Sequence, residues 1–116
     1  MFQVSQVDDV SVVTFGMKRA TADIAHEFKD LINTLADEKG VRKILLDCSG
    51  VFFIDSFFLG AIVSGLKRVR ANGGEIKIYN LDKNVYPVFK LMHLNEVFEI
   101  FSDRTEAILA FTQNSK

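Results

Sequence analysis

Residues 45–65 read LLDCSGVFFIDSFFLGAIVSG. The run KILLDC at residues 43–48, which leads into this stretch, is short and continuously apolar, as an interior strand covered on both faces requires. Farther on, Leu59, Ile62, Val63, Leu66 and Val69 recur at helical spacing until Asn72-Gly73-Gly74 stops them. The stretch therefore predicts a central strand, an apolar loop over residues 49–55, and a helix whose N-terminus is marked by Asp55-Ser56. Serine is a favoured N-cap because its oxygen accepts from the free N–H groups of the first turn. A helix start at the carboxyl end of a central parallel strand is also where open α/β sheets place their ligand sites.

Working outward, residues 2–7 and 10–15 are β-rich runs around Asp8-Asp9, which predicts an antiparallel hairpin. From Thr21 the pattern turns helical, with Ile24, Phe28, Leu31, Ile32 and Leu35 on one face and Gly40 closing the segment. Residues 75–80 (EIKIYN) alternate as a strand, and Val85, Val88, Phe89 and Met92 form a third helical stripe with Pro87 in its first turn. Residues 97–101 read as a last strand, and Ser102 with Thr105 and Glu106 opens a terminal helix through Phe111. Together these predict an α/β fold in one domain spanning residues 1–116: a mixed β-sheet with parallel central strands, an N-terminal hairpin and about four helices.

Composition narrows the function. Hydrophobic residues are 48% and charged residues 25% of the 116-residue chain, the balance of an ordinary globular protein. The net charge of −1 and the scatter of basic residues, apart from Lys67, Arg68 and Arg70, argue against direct nucleic-acid binding. No apolar run approaches the roughly 20 residues that cross a bilayer, and no signal-peptide pattern opens the chain, so a cytoplasmic protein without membrane insertion is expected. The lone Cys48 has no companion for a disulfide or a metal and reads as a buried, inert thiol. Eleven Phe with no Trp point to a bulky core or an apolar contact surface.

Five pieces occur in a fixed order: Ile54-Asp55-Ser56, Leu59-Gly60, Gly73-Gly74, Asn80-Leu81, and a late segment from Leu91 through Leu94 to Val97-Phe98. This ordered set resembles the STAS domain of anti-sigma factor antagonists across nearly the whole chain. The resemblance implies that Ser56 is the serine phosphorylated by a cognate anti-sigma factor that is itself a serine kinase. It implies also a serine phosphatase that restores the hydroxyl, no cofactor, no catalysis by the domain itself, and a monomer or weak dimer. Phe57 and Phe58 stand where the family has a small residue and glycine, and Arg19 stands near where many members carry an acid.

Consecutive helical positions point about 100° apart, so Phe57 and Phe58 do not easily both face inward, and either one of them projects as an anchor for a partner or both rings pack under neighbouring loops. On the first of these readings the partner-binding set is Asp55, Ser56, Phe57, Phe58 and Gly60. On residue chemistry alone Ser56 is a plain N-cap, and Asp55 either aids recognition or caps the helix. Two other readings stay open. One is a STAS subunit of a larger signalling or lipid-transport assembly that is never phosphorylated. The other is a small α/β hydrolase or phosphotransferase pairing Asp47 with Asp55, although no lysine, histidine or glycine-rich phosphate loop lies beside them to complete such a site.

Overall fold

A computed structural model describes residues 1–113. The elements run β1 (Phe2–Val7), β2 (Val10–Phe15), β3 (Arg19–Ala20), α1 (Ala22–Asn33), β4 (Lys43–Asp47), β5 (Phe53–Ile54), α2 (Ser56–Ala71), β6 (Glu75–Tyr79), α3 (Tyr86–Leu91), β7 (Ile100–Phe101) and α4 (Arg104–Gln113). The main sheet has the order β1-β2-β4-β6-β7; β1 is antiparallel to β2 and every other pairing is parallel. This is the mixed sheet with parallel centre, N-terminal hairpin and four helices that the sequence predicts.

β4 lies in the middle because both of its faces are apolar. Ile44 and Leu46 join the larger core with Val13, Ile76, Ile78, Phe28, Ile62 and Phe89, on the side covered by α1, α2 and α3. Leu45 points the other way, into a smaller cluster with Val10, Val12, Ala107 and Phe111 under α4. Lys77 is buried on that second face; it forms an ion pair with Glu99 and lies 5.1 Å from the Phe111 ring. The stem thus packs as an apolar residue while the ammonium keeps charged and aromatic neighbours.

Helix ends follow local chemistry. Beyond α1 the chain takes one π-helical turn over Thr34–Glu38, and Gly40 at φ +64 then turns it toward β4. At the end of α2, Gly73 N–H donates to the Arg70 carbonyl and Gly74 N–H to the Val69 carbonyl, the paired bonds of a Schellman stop. Gly74 has a second constraint, since a Cβ there would sit 2.4 Å from the Arg42 carbonyl oxygen beside the β4–β6 ladder.

Four expectations change. The stretch 49–55 is not all loop: β5 pairs parallel with β3 as a separate two-stranded ribbon, Arg19 opposite Phe53 and Ala20 opposite Ile54. The last strand is confined to Ile100–Phe101, because Phe98 N–H is bonded back to the Leu94 carbonyl in a tight turn and cannot pair with β6. The α3 stripe is half used: Val85 and Phe89 are buried, whereas Val88 and Met92 face solvent. The start of α4 is held by Asp103, whose carboxylate accepts from Glu106 N–H, and not by Ser102.

Candidate functional site

The first turn of α2 is fixed by one carboxylate. Asp55 adopts the extended N-cap conformation, φ −87 and ψ 172, and its Oδ1 accepts from Phe58 N–H at 2.8 Å. Its Oδ2 accepts from Ala22 N–H, also at 2.8 Å, across 33 residues of sequence. Thr21 precedes α1 but makes no cap, its hydroxyl being turned to Asp23, so α1 is capped from the neighbouring helix instead. Asp55 N–H donates to the Ala20 carbonyl, which ties the same residue into the β3–β5 ribbon. Ser56, expected as N-cap on residue chemistry alone, is therefore the first residue inside the helix. Its side chain is exposed, and its hydroxyl has no hydrogen-bond partner among the described residues.

The two phenylalanines that follow part company. Phe58 is fully buried, with ring centroids 5.1, 5.7 and 6.2 Å from those of Phe28, Phe15 and Phe2. It offers nothing to a binding partner, which removes it from the expected contact set. Phe57, by contrast, is 71% exposed. Phe52 and Phe53 on the preceding segment are exposed as well, and the Arg19 guanidinium lies 4.2 Å over the Phe53 ring. Gly60 lies one turn on from Ser56, at the surface. On one flank of this turn a groove of about 340 Å³ runs between α2 and the segment after α3, lined by Ser56, Leu59, Gly60, Val63, Ser64, Lys67, Met92 and Leu94. On the other flank, Phe57 borders a groove against α1 formed with Ala22, Ala25, His26 and Lys29.

The second acid, Asp47, ends β4 and is nearly buried. Its Oδ1 accepts from Ser49 N–H and Ser49 Oγ–H, and its Oδ2 lies 3.7 Å from Arg104. The Asn80 amide donates to Ser49 Oγ at 2.9 Å and extends this network to the end of β6. Both carboxylates of the hydrolase reading are thus engaged in holding backbone and side chains in place. Between them in sequence, Cys48 is buried; loss of solvation, and then the neighbouring Asp47 charge, push its thiol up to about 12. His26 and His93 are exposed and sit beside Asp30 and Glu96 respectively.

The family model described as STAS domain matches residues 1–107. The chain belongs to the STAS domain family. A relative from Thermotoga maritima, provisionally named an anti-sigma factor antagonist, is 35% identical over 108 residues, covering 93% of this chain and 95% of that one. A crystal structure of a protein from the same organism, with the same provisional name, superposes with a TM-score of 0.86 at 31% identity over 96% of this chain and 94% of the other. The phosphorylated form of the Bacillus cell-fate determinant SpoIIAA shares the fold, with a TM-score of 0.74 at 19% identity over 93% and 96% of the two chains. Within this STAS domain, no helix among the described residues is long and apolar enough to cross a membrane. The ribbon of β3 with β5 and the double role of Asp55 escaped the sequence reading. The sequence offers Asp55 as a possible cap beside Ser56, two residue types equally fit for the position, and holds no sign of the second bond to Ala22.

Proposed function

We propose that this STAS protein is an anti-sigma factor antagonist controlled at Ser56. Unmodified, it binds an anti-sigma factor that is also a serine kinase, through Phe57, Gly60 and the grooves on either side of them. The kinase transfers the γ-phosphoryl group of ATP to Ser56 Oγ, the serine proton leaves, ADP is released, and the complex separates. A serine phosphatase hydrolyses the ester and returns the hydroxyl with inorganic phosphate. The observation that carries this reading is an exposed, unbonded serine hydroxyl at the first residue of α2, next to a phenylalanine that is 71% exposed. The provisional name of the Thermotoga relative and the existence of a phosphorylated SpoIIAA structure support it.

The physics needs no change of fold. A phosphate adds about −1.5 to −2 charge at pH 7. At a helix start that charge meets the positive end of the dipole and unpaired first-turn N–H groups, so the domain tolerates it. Under a docked apolar surface the same group must be desolvated, which is costly, and the partner leaves. Incubation with the cognate kinase and ATP is expected to add one phosphate to the intact mass, and Ser56→Ala is expected to abolish it. Ser56→Asp is expected to weaken the complex with little change in thermal unfolding. A phosphate on another residue, or full affinity in Ser56→Asp, would overturn the proposal.

A further inference from the structure

The open edge of the main sheet carries a second inference, independent of Ser56. We propose that two copies of this chain pair antiparallel along β1, about a two-fold axis through Val4. Among the described residues β1 ends the sheet and pairs only with β2, in an unbroken register from Phe2 opposite Phe15 to Val7 opposite Val10. A two-residue turn closes on a hydrogen-bonded pair, here Val7 with Val10. By alternation Ser5 and Gln3 also bond to β2, while Phe2, Val4 and Gln6 turn their backbone N–H and C=O groups outward. Protein sheets commonly blunt such an edge with a lysine, a proline, a bulge or a covering segment. β1, FQVSQV, has no charged residue, no proline and no bulge, and Gln3, Val4, Ser5 and Gln6 are all exposed. The opposite edge is guarded differently: β7 is only two residues long.

The occupant follows from the strand's own symmetry. With Val4 facing Val4 of the second copy, Phe2 faces Gln6 of that copy and Gln3 faces its Ser5. On one face the valines, each 39% exposed alone, meet at the axis; on the other an amide meets a hydroxyl. No like charges oppose one another, because the strand has none. All three outward-facing residues of each copy find partners in this register, and a shift by two residues leaves some unpaired. One strand edge buries less than the roughly 1,600 Å² of a standard interface, so the dimer is weak and forms only as concentration rises.

Sedimentation equilibrium from micromolar to millimolar protein tests this directly. The wild type is expected to pass from monomer to dimer mass. Val4→Lys places two ammonium groups opposite each other at the axis and is expected to raise the dissociation constant about tenfold or more. Val4→Pro removes an outward N–H without taking a bond from β2 and is expected to act in the same direction. Val4→Cys, oxidised at high concentration, is expected to give a covalent dimer through residue 4. Circular dichroism of each variant checks the fold, and should the proline fail to fold, the exposed lysine variant decides alone. A wild type that stays monomeric throughout, or a dimer whose dissociation constant Val4→Lys leaves unmoved, overturns the proposal.

Discussion

Asp55 holds two helices with one side chain, and the two bonds can be weighed separately. Asp55→Ala removes the α2 cap, a loss of about 1 kcal/mol. It also releases Ala22 N–H at an exposed helix start where water can replace the lost acceptor, which adds about 0.5–1 kcal/mol. The sum of about 1.5–2 kcal/mol corresponds to roughly 6–8 °C in Tm for a domain of this size. Asp55→Asn separates the parts: the amide has a single acceptor oxygen, so it serves either Phe58 N–H or Ala22 N–H but not both. Its expected cost is the smaller share, about 0.5–1 kcal/mol. Urea unfolding gives the totals, and amide exchange at Ala22 and Phe58 shows which bond each variant keeps. If Asp55→Asn matched the wild type in both stability and exchange, or Asp55→Ala cost less than about 0.5 kcal/mol, the double-cap account would be wrong.

The two phenylalanines give opposite results. Phe58→Ala is expected to cost about 3–5 kcal/mol in urea unfolding through the cavity it leaves among Phe2, Phe15 and Phe28. Phe57→Ala is expected to move stability by less than about 0.5 kcal/mol and, on the proposed function, to weaken binding of the cognate anti-sigma factor measured by titration calorimetry. Cys48 is expected to resist a thiol reagent at pH 8 in the folded protein and to react only at the rate of unfolding, which stopped-flow labelling would read. Asp9 accepts a hydrogen bond from Lys43, and that bond, with the ammonium charge, holds its pKa below the ordinary carboxylate value. Because the folded value is the lower one, the stability this pair contributes is complete at neutral pH and is lost as pH falls below about 4 through the folded value. Lys43→Met is expected to return the Asp9 pKa to its ordinary range in a carboxyl NMR titration.

The parts legible in the sequence are those with a long or unambiguous pattern. β4 and α2 stand out because an apolar run and a five-residue helical stripe leave few alternatives, and the hairpin is announced by a two-residue acidic turn. β3 and β5 are two residues each, too short for any period to register, and they exist only because the chain passes itself at that point. Val88 and Met92 fit the helical stripe of Val85 and Phe89, yet periodicity names a face without saying how far the core extends beneath it. For Asp55 and Ser56 the residue types tie. The choice is made by Ala22, which sits where only a carboxylate with two acceptors can reach both helix starts. For Phe57 and Phe58 the sequence leaves open whether one ring projects or both are covered; packing against three other phenylalanines buries Phe58, and Phe57 stays exposed.

Four rings meeting beneath the opening turn of α2 leave its backbone little room to give, since a close-packed interior resists compression. The backbone of this turn therefore keeps one shape whatever the serine oxygen carries. On the proposed reading, discrimination rests on the charge and bulk of the added group itself, and at physiological salt a surface charge is screened beyond about 8 Å. Only a protein that presses directly on the turn can tell the two forms apart; one that docks a helix-width away is blind to the difference.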